Sequence, residues 1–207
     1  MPTVNTRNIM VGAGHLYISK ADTRTALPAA PAATAPALPA SYKTALDTAT
    51  DWRYVGATSG GVEVTMSPDT ADVEVDQMKD AALVFNTGQT MTVGTELAEP
   101  TLANLLVSWG MRSTDLVGAG DTLNLAALPD ELVERSIALV GNAPNQDIST
   151  GKRERVYFGR RVVAVDGGGH TLARTEATTL PVSFRLLSDT TQVGSEYGTI
   201  VDRTVTA

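Results

Sequence analysis

Residues 61–80, "GVEVTMSPDTADVEVDQMKD", alternate apolar and polar side chains with a period of two, which a strand satisfies and a helix does not. Val62, Val64 and Met66 share one face, with Glu63 and Thr65 opposite. Val73 and Val75 then stand against Asp72, Glu74 and Asp76. Between the two runs, "SPDT" supplies turn chemistry, so a hairpin is expected with carboxylates along one face. The same alternation recurs in "QTMTVGTEL", where Met91, Val93 and Leu97 oppose Thr90, Thr92 and Glu96. Further strands are expected at 15–20, 52–55, 122–125, 135–140, 155–165 and 179–187. Many short strands separated by Gly and Pro turns imply a mainly β fold, a β-barrel or β-sandwich.

One segment departs from this period. In "EPTLANLLVSWG", Leu102, Leu105, Leu106 and Trp109 recur at helical spacing, Pro100 suits a first helical position, and Gly110 suits a left-handed cap. A single flanking α-helix packing on the sheet is expected. "ALPAAPAATAPALPA", residues 26–40, has too many prolines for a continuous helix and reads as an extended loop. It is either a surface excursion or a strap laid along a neighbouring subunit. The 207 residues fit one domain, 1–207, with an N-terminal arm at 1–14 and this loop as extensions.

Several chemistries are disfavoured. A formal charge of −7 opposes ordinary phosphate-backbone binding. The absence of cysteine excludes disulfides and thiolate metal sites. His15 and His170 are the only histidines, each without a second imidazole at ligand spacing. "QDISTGKRE" lacks the leading glycine and the Ser/Thr of a phosphate loop, and "GATSG" carries Thr58 at the nucleophile position without a following helix. Asp72, Glu74 and Asp76 lack the glycine and closing glutamate of a calcium loop. No cofactor, metal site, catalytic residue or enzymatic activity is expected. No stretch reaches the roughly 18 apolar residues of a membrane-spanning helix, and neither a membrane association nor a secretory signal is expected.

The one basic concentration is "GKRERVYFGRR", residues 151–161. Its Arg155 and Arg161 share a strand parity and Arg160 has the other, which is not a nucleic-acid stripe. It is either a solvated strand or a patch that meets the acidic run on another copy of the chain, a head-to-tail contact of the kind that builds rings or filaments.

The stretch "WRYVGATSGGVEVTMSPDTADVEVDQMKDAALVFNTGQTMTVGTELAEPTLANLLVSWG", residues 52–110, resembles the major tail tube proteins of long, non-contractile tailed phages (siphophages). The resemblance lies in a short strand, "VG.T..GV", a long hairpin with "VEVDQ", a strand ending in "TELAE", and one amphipathic helix. "TLPVSFRLLSD" resembles the family's closing strand, whereas the Ala/Pro-rich segment is not part of the pattern. The resemblance implies a tail tube fold, hexameric rings stacked into a hollow tube, and a virion protein made in the host cytoplasm. It also implies partners in the tape measure protein and the tail terminator or tip proteins, with DNA passing through the tube unbound during ejection. In that setting Glu63, Asp72, Glu74 and Asp76 would face the lumen or, like Arg155, Arg160 and Arg161, a neighbouring subunit. Val62, Val64, Val73 and Val75 would form the hairpin core or a ring contact. The rival expectation is a monomeric β-sandwich module for carbohydrate or cell surfaces, with Trp52, Tyr54, Trp109 and Tyr157 as an aromatic platform.

Overall fold

The computed structural model describes residues 12–33, 38–73, 82–144, 151–172, 174–175 and 177–206. Alternation becomes strand where expected, but often in longer pieces. The strands are β1 (His15–Ser19), β2 (Trp52–Tyr54), β3 (Thr58–Val73), β4 (Leu83–Leu97), β5 (Leu116–Val117), β6 (Thr122–Leu123), β7 (Arg135–Asn142), β8 (Lys152–Gly167), β9 (Leu180–Leu186) and β10 (Gly198–Val205). Two helices join them, α1 (Tyr42–Thr48) and α2 (Leu102–Ser108). One large antiparallel sheet runs β2-β1-β7-β8-β9-β4-β3, and β5 with β6 makes a separate small pair. Strand β9 pairs with Val162–Gly167 of β8, and β10 pairs with the earlier Lys152–Gly159 segment.

The sheet must roll. If it were flat, the six spacings separating β2 from β3 would hold them about 29 Å apart. Yet only Val55, Gly56 and Ala57 join them, a reach of about 14 Å. The two edges therefore converge at this end without closing a ladder, giving a rolled sheet rather than a closed barrel. Ala98 N–H donates to Ala57 O at 2.8 Å, and Val55 N–H donates to Leu16 O at 3.1 Å, so the link touches both sides. Asn104, buried on α2, fastens it: its amide donates to Val55 O at 2.7 Å and to Glu99 O at 2.8 Å, and its carbonyl accepts from Arg53 Nη1 at 2.6 Å.

Alternation then sorts side chains onto two faces. Leu16 and Ile18 of β1, Ile137 and Leu139 of β7, and Leu180, Val182, Phe184 and Leu186 of β9 line the inner face under α2. Tyr17, Ala138, Val140, Val156 and Phe158 line the outer face, where α1 contributes Tyr42 and Leu46. On α2, Pro100 precedes the helix instead of taking its first position; Thr101 is the N-cap, its hydroxyl accepting from Asn104 N–H at 3.2 Å. Gly110, at φ 64°, and Met111 donate to Val107 O and Leu106 O, which closes the C-terminus as a Schellman turn. Leu106 is buried, and Leu105 and Trp109 pack partly against the inner cluster. Leu102 is half-buried outside it, while Val107 and Met111 take core places that the spacing rule missed.

Helix α1 corrects the single-helix expectation. Its start is held from a distant strand: the buried Glu154 carboxylate of β8 accepts from Tyr42 N–H at 2.9 Å and from the Ser41 hydroxyl, and Arg203 of β10 stands 3.5 Å away. The described part of the Ala/Pro segment forms neither helix nor strand and is tied to its own chain. Trp52 Nε1 donates to Ala26 O at 3.2 Å, Arg203 donates to Pro31 O at 2.8 Å, and Thr206 N–H donates to Pro39 O at 3.0 Å.

The "SPDT" turn is not there. Strand β3 runs straight through it, pairing Pro68 with Gln89 and Asp69 with Gly88. Proline is tolerated because β3 is the edge of the sheet, where one side of the backbone needs no partner. The irregularity falls instead on β4, where Thr87 is the extra residue and its hydroxyl donates to Asp69 O at 3.0 Å. Without a turn the parity of β3 continues, so Val73 lies on the face of Glu63, and Asp72 lies on the face of Val62 and Val64. The expected separation of valines from acids across these two runs is overturned.

Candidate interaction surface

The β3–β4 pair has a root and a free arm. At the root, β4 is flanked by β9 from Leu97–Leu180 to Met91–Leu186, and Val93 and Leu97 are buried in the inner cluster. Beyond Met91, residues Leu83 to Thr90 pair only with β3, so the ribbon extends about 27 Å past the body. Near the root, Gly60 and Gly61, with φ 74° and 87°, form an irregularity between Ser59 and Val62 that a side chain would strain.

The arm is apolar on both faces. The face continuous with the inner cluster carries Met66 at the base of the arm and Val84 farther out, 60% and 57% exposed. Farther out, the opposite face carries Ala71, Val73, Leu83 and Phe85, with Phe85 51% exposed. Of the expected hairpin core, Val62 alone packs partly against the body; Val64 and Val73 are exposed, and Val75 lies outside the described residues. Glu63 and Asp72 are exposed, on opposite faces, and Glu74 and Asp76 lie outside the described residues. The unbroken "LVF" of 83–85 was the overlooked signal, an apolar run beside a strand already read as β.

An isolated two-stranded ribbon is marginal in water. A contiguous apolar patch on such an arm, with the β3 edge unpaired among the described residues, marks a surface made to be covered.

The basic run has other work within the chain. Arg155 forks onto Asp202 of β10, at 2.6 and 2.7 Å, and that bond holds the Asp202 carboxyl below its usual range against a smaller opposing effect of burial. Arg161 pairs with Glu134 and donates to Ser188 O at 2.7 Å. Arg160 donates to Ser195 O at 3.1 Å and lies over the Phe158 ring. Arg160 and Arg161 stand together opposite Ser136 at an irregularity between β7 and β8, which interrupts the parity assumed from sequence. The aromatic platform does not form either: Trp52 is 3% exposed in the outer cluster, whereas Trp109 and Tyr157 pack on the inner one. Trp109 Nε1 donates to Gly168 O at 2.9 Å and stacks on His170. Among the described residues no three His, Asp or Glu groups gather as a metal site.

With this geometry in view, the family model for phage tail tube protein matches residues 1–197 of the 207. The chain belongs to the phage tail tube protein family. This tail tube protein is accordingly a structural component of the virion tail that assembles into a tube. Among curated proteins, none matches it in sequence.

Proposed function

We propose that this tail tube protein forms hexameric rings that stack into a hollow siphophage tail tube through which DNA passes during ejection. The observation that carries this is the arm of β3 and β4: apolar on both faces, unpaired along one edge, and rooted in a buried sheet. A heterologous contact between such an arm and a different surface of the next copy generates a closed ring or an open filament, and closure protects the edge. The excess of carboxylates gives the assembly a charge that repels DNA, so a lining of that sign lets the polyanion slide rather than stick. Glu63 and Asp72, with Glu74 and Asp76, are the candidates for that lining or for contact with a neighbour. The tube's ends call for partners of a different kind, a tape measure protein and terminator or tip proteins. The subunit works by association, without a catalytic step, and its synthesis is placed in the host cytoplasm.

Negative-stain electron microscopy of the purified protein over a concentration series tests this. Hollow tubes of uniform diameter, or stacked rings of six, are expected at high concentration. Persistent monomers across the series would sink the reading.

A further inference from the structure

If copies join head to tail, the arm needs a receptor. Arg155, Arg160 and Arg161, the basic residues that stand out in sequence, already have partners. A different basic surface remains. Val162, Phe184 and Leu186 point into the inner cluster, so Val163 and its cross-strand partner Arg185 point outward. There they help line an open groove of about 1220 Å³, together with Arg112, Leu132, Val165 and Leu187. Its other cations, Arg24 and Arg161, are paired with Asp189 and Glu134, and Asp22 is taken by Arg135. Among the described residues this leaves Arg112 and Arg185 as lining cations without an ion pair, against Glu131 as the one such carboxylate. Leu132 and Val165 are exposed along the same groove.

The arm is its complement. Residues 67–90 carry Asp69, Asp72, Glu74, Asp76 and Asp80 against Lys79 alone. Asp69 and Asp72, on opposite faces, have no ion pair among the described residues; Val73, Leu83 and Phe85 lie exposed on the face of Asp69, and Val84 on that of Asp72. An arm with apolar and acidic side chains on both faces thus complements a groove lined by apolar side chains and arginines, the kind of pairing that fixes register and excludes wrong partners. The arm cannot reach its own groove. Arg185 pairs with Thr92 at the root, whereas Phe85 lies about 20 Å farther out along a paired, stiff ribbon.

We infer that the groove walled by Arg112 and Arg185 receives the β3–β4 arm of a second copy edge-first, so that Asp69 and Asp72, on its opposite faces, meet one arginine each and Phe85 lies against the apolar lining. This rests on the proposed tube assembly and names the two surfaces that make it.

Charge exchange tests it. The variants are Arg112→Glu with Arg185→Glu, Asp69→Lys with Asp72→Lys, and all four changes in one chain, each checked by circular dichroism and assayed by sedimentation and electron microscopy. Each pair alone raises the concentration needed for tubes by about tenfold or more, through like charges at the contact. The four-fold variant, and an equal mixture of the two double variants, regain assembly. A groove variant that assembles at the wild-type concentration overturns the assignment while leaving the tube reading intact. So does a native-like four-fold variant, and likewise an equal mixture, no better than the doubles. A wild-type chain that never assembles removes both.

Discussion

Strand β7 and the arm of β3 are both antiparallel β-structure, yet they meet opposite fates. Strand β7, "RSIALVGN", shows little alternation and is buried on both faces, Ile137 and Leu139 toward α2, Ala138 and Val140 toward α1. The β3 segment "GVEVTM" alternates cleanly and is exposed over most of its length. A clean period of two is therefore not a sign of burial in this chain. Strands covered on both sides read as continuous apolar runs, while the alternating strand belongs to an arm that one copy cannot cover.

That contrast can be broken at its strongest point first. Phe184→Ala, in the middle of β9 and the inner cluster, removes about 4 kcal/mol of stability. Its denaturant midpoint should fall with little change in slope; a midpoint near wild type would show that the inner cluster is not the core of the body. Next is Glu154→Gln, which leaves the Arg203 guanidinium without its anion and loosens the start of α1, for about 3 kcal/mol. Thermal melting followed by circular dichroism reads this directly, and an unchanged melt would mean that α1 holds by its apolar face alone.

A smaller effect belongs to the Arg155–Asp202 pair on β10. The folded Asp202 carboxyl sits below its unfolded value, so its stabilisation is complete above about pH 4 and is lost as pH falls through the folded value. Melting temperature measured from pH 6 downward should fall less steeply for Asp202→Asn than for the wild type below that point. Parallel curves would detach the ion pair from acid stability. Smallest for the single chain is Phe85→Ser on the arm, within about 0.5 kcal/mol of wild type, because the side chain is exposed. Its tubes, assayed by sedimentation, should nevertheless be weakened or lost. Normal tubes from this variant would erase the distinction between arm and body.

The sequence shows its strands wherever the local pattern and the buried surface agree. Strands β1, β2, β7, β8 and β9 all lie where their runs predict them, and Gly110 caps α2 as its position demands. The errors share a physical origin. "SPDT" has turn residues, but its context is an edge strand whose partner, β4, absorbs the irregularity at Thr87, some twenty residues on. Helix α1 and strand β10 escape because each is fixed from afar: Tyr42 by Glu154, and Asp202 by Arg155. The charged candidates were legible as residue types, but not in their folded surroundings. An acidic strand and a basic run were both visible in the sequence, but only the folded chain shows that Arg155, Arg160 and Arg161 are engaged within it, whereas Arg112 and Arg185 have no ion pair among the described residues.

The three-residue link from β2 to β3 also decides how the molecule bears load. Because Val55, Gly56 and Ala57 join opposite edges of the rolled sheet, tension along β3 passes at once into β2 on the far side and, through Asn104, into α2. The arm is a cantilever clamped from two directions, so a pull along its strands shears paired strands instead of peeling a hairpin away from its root.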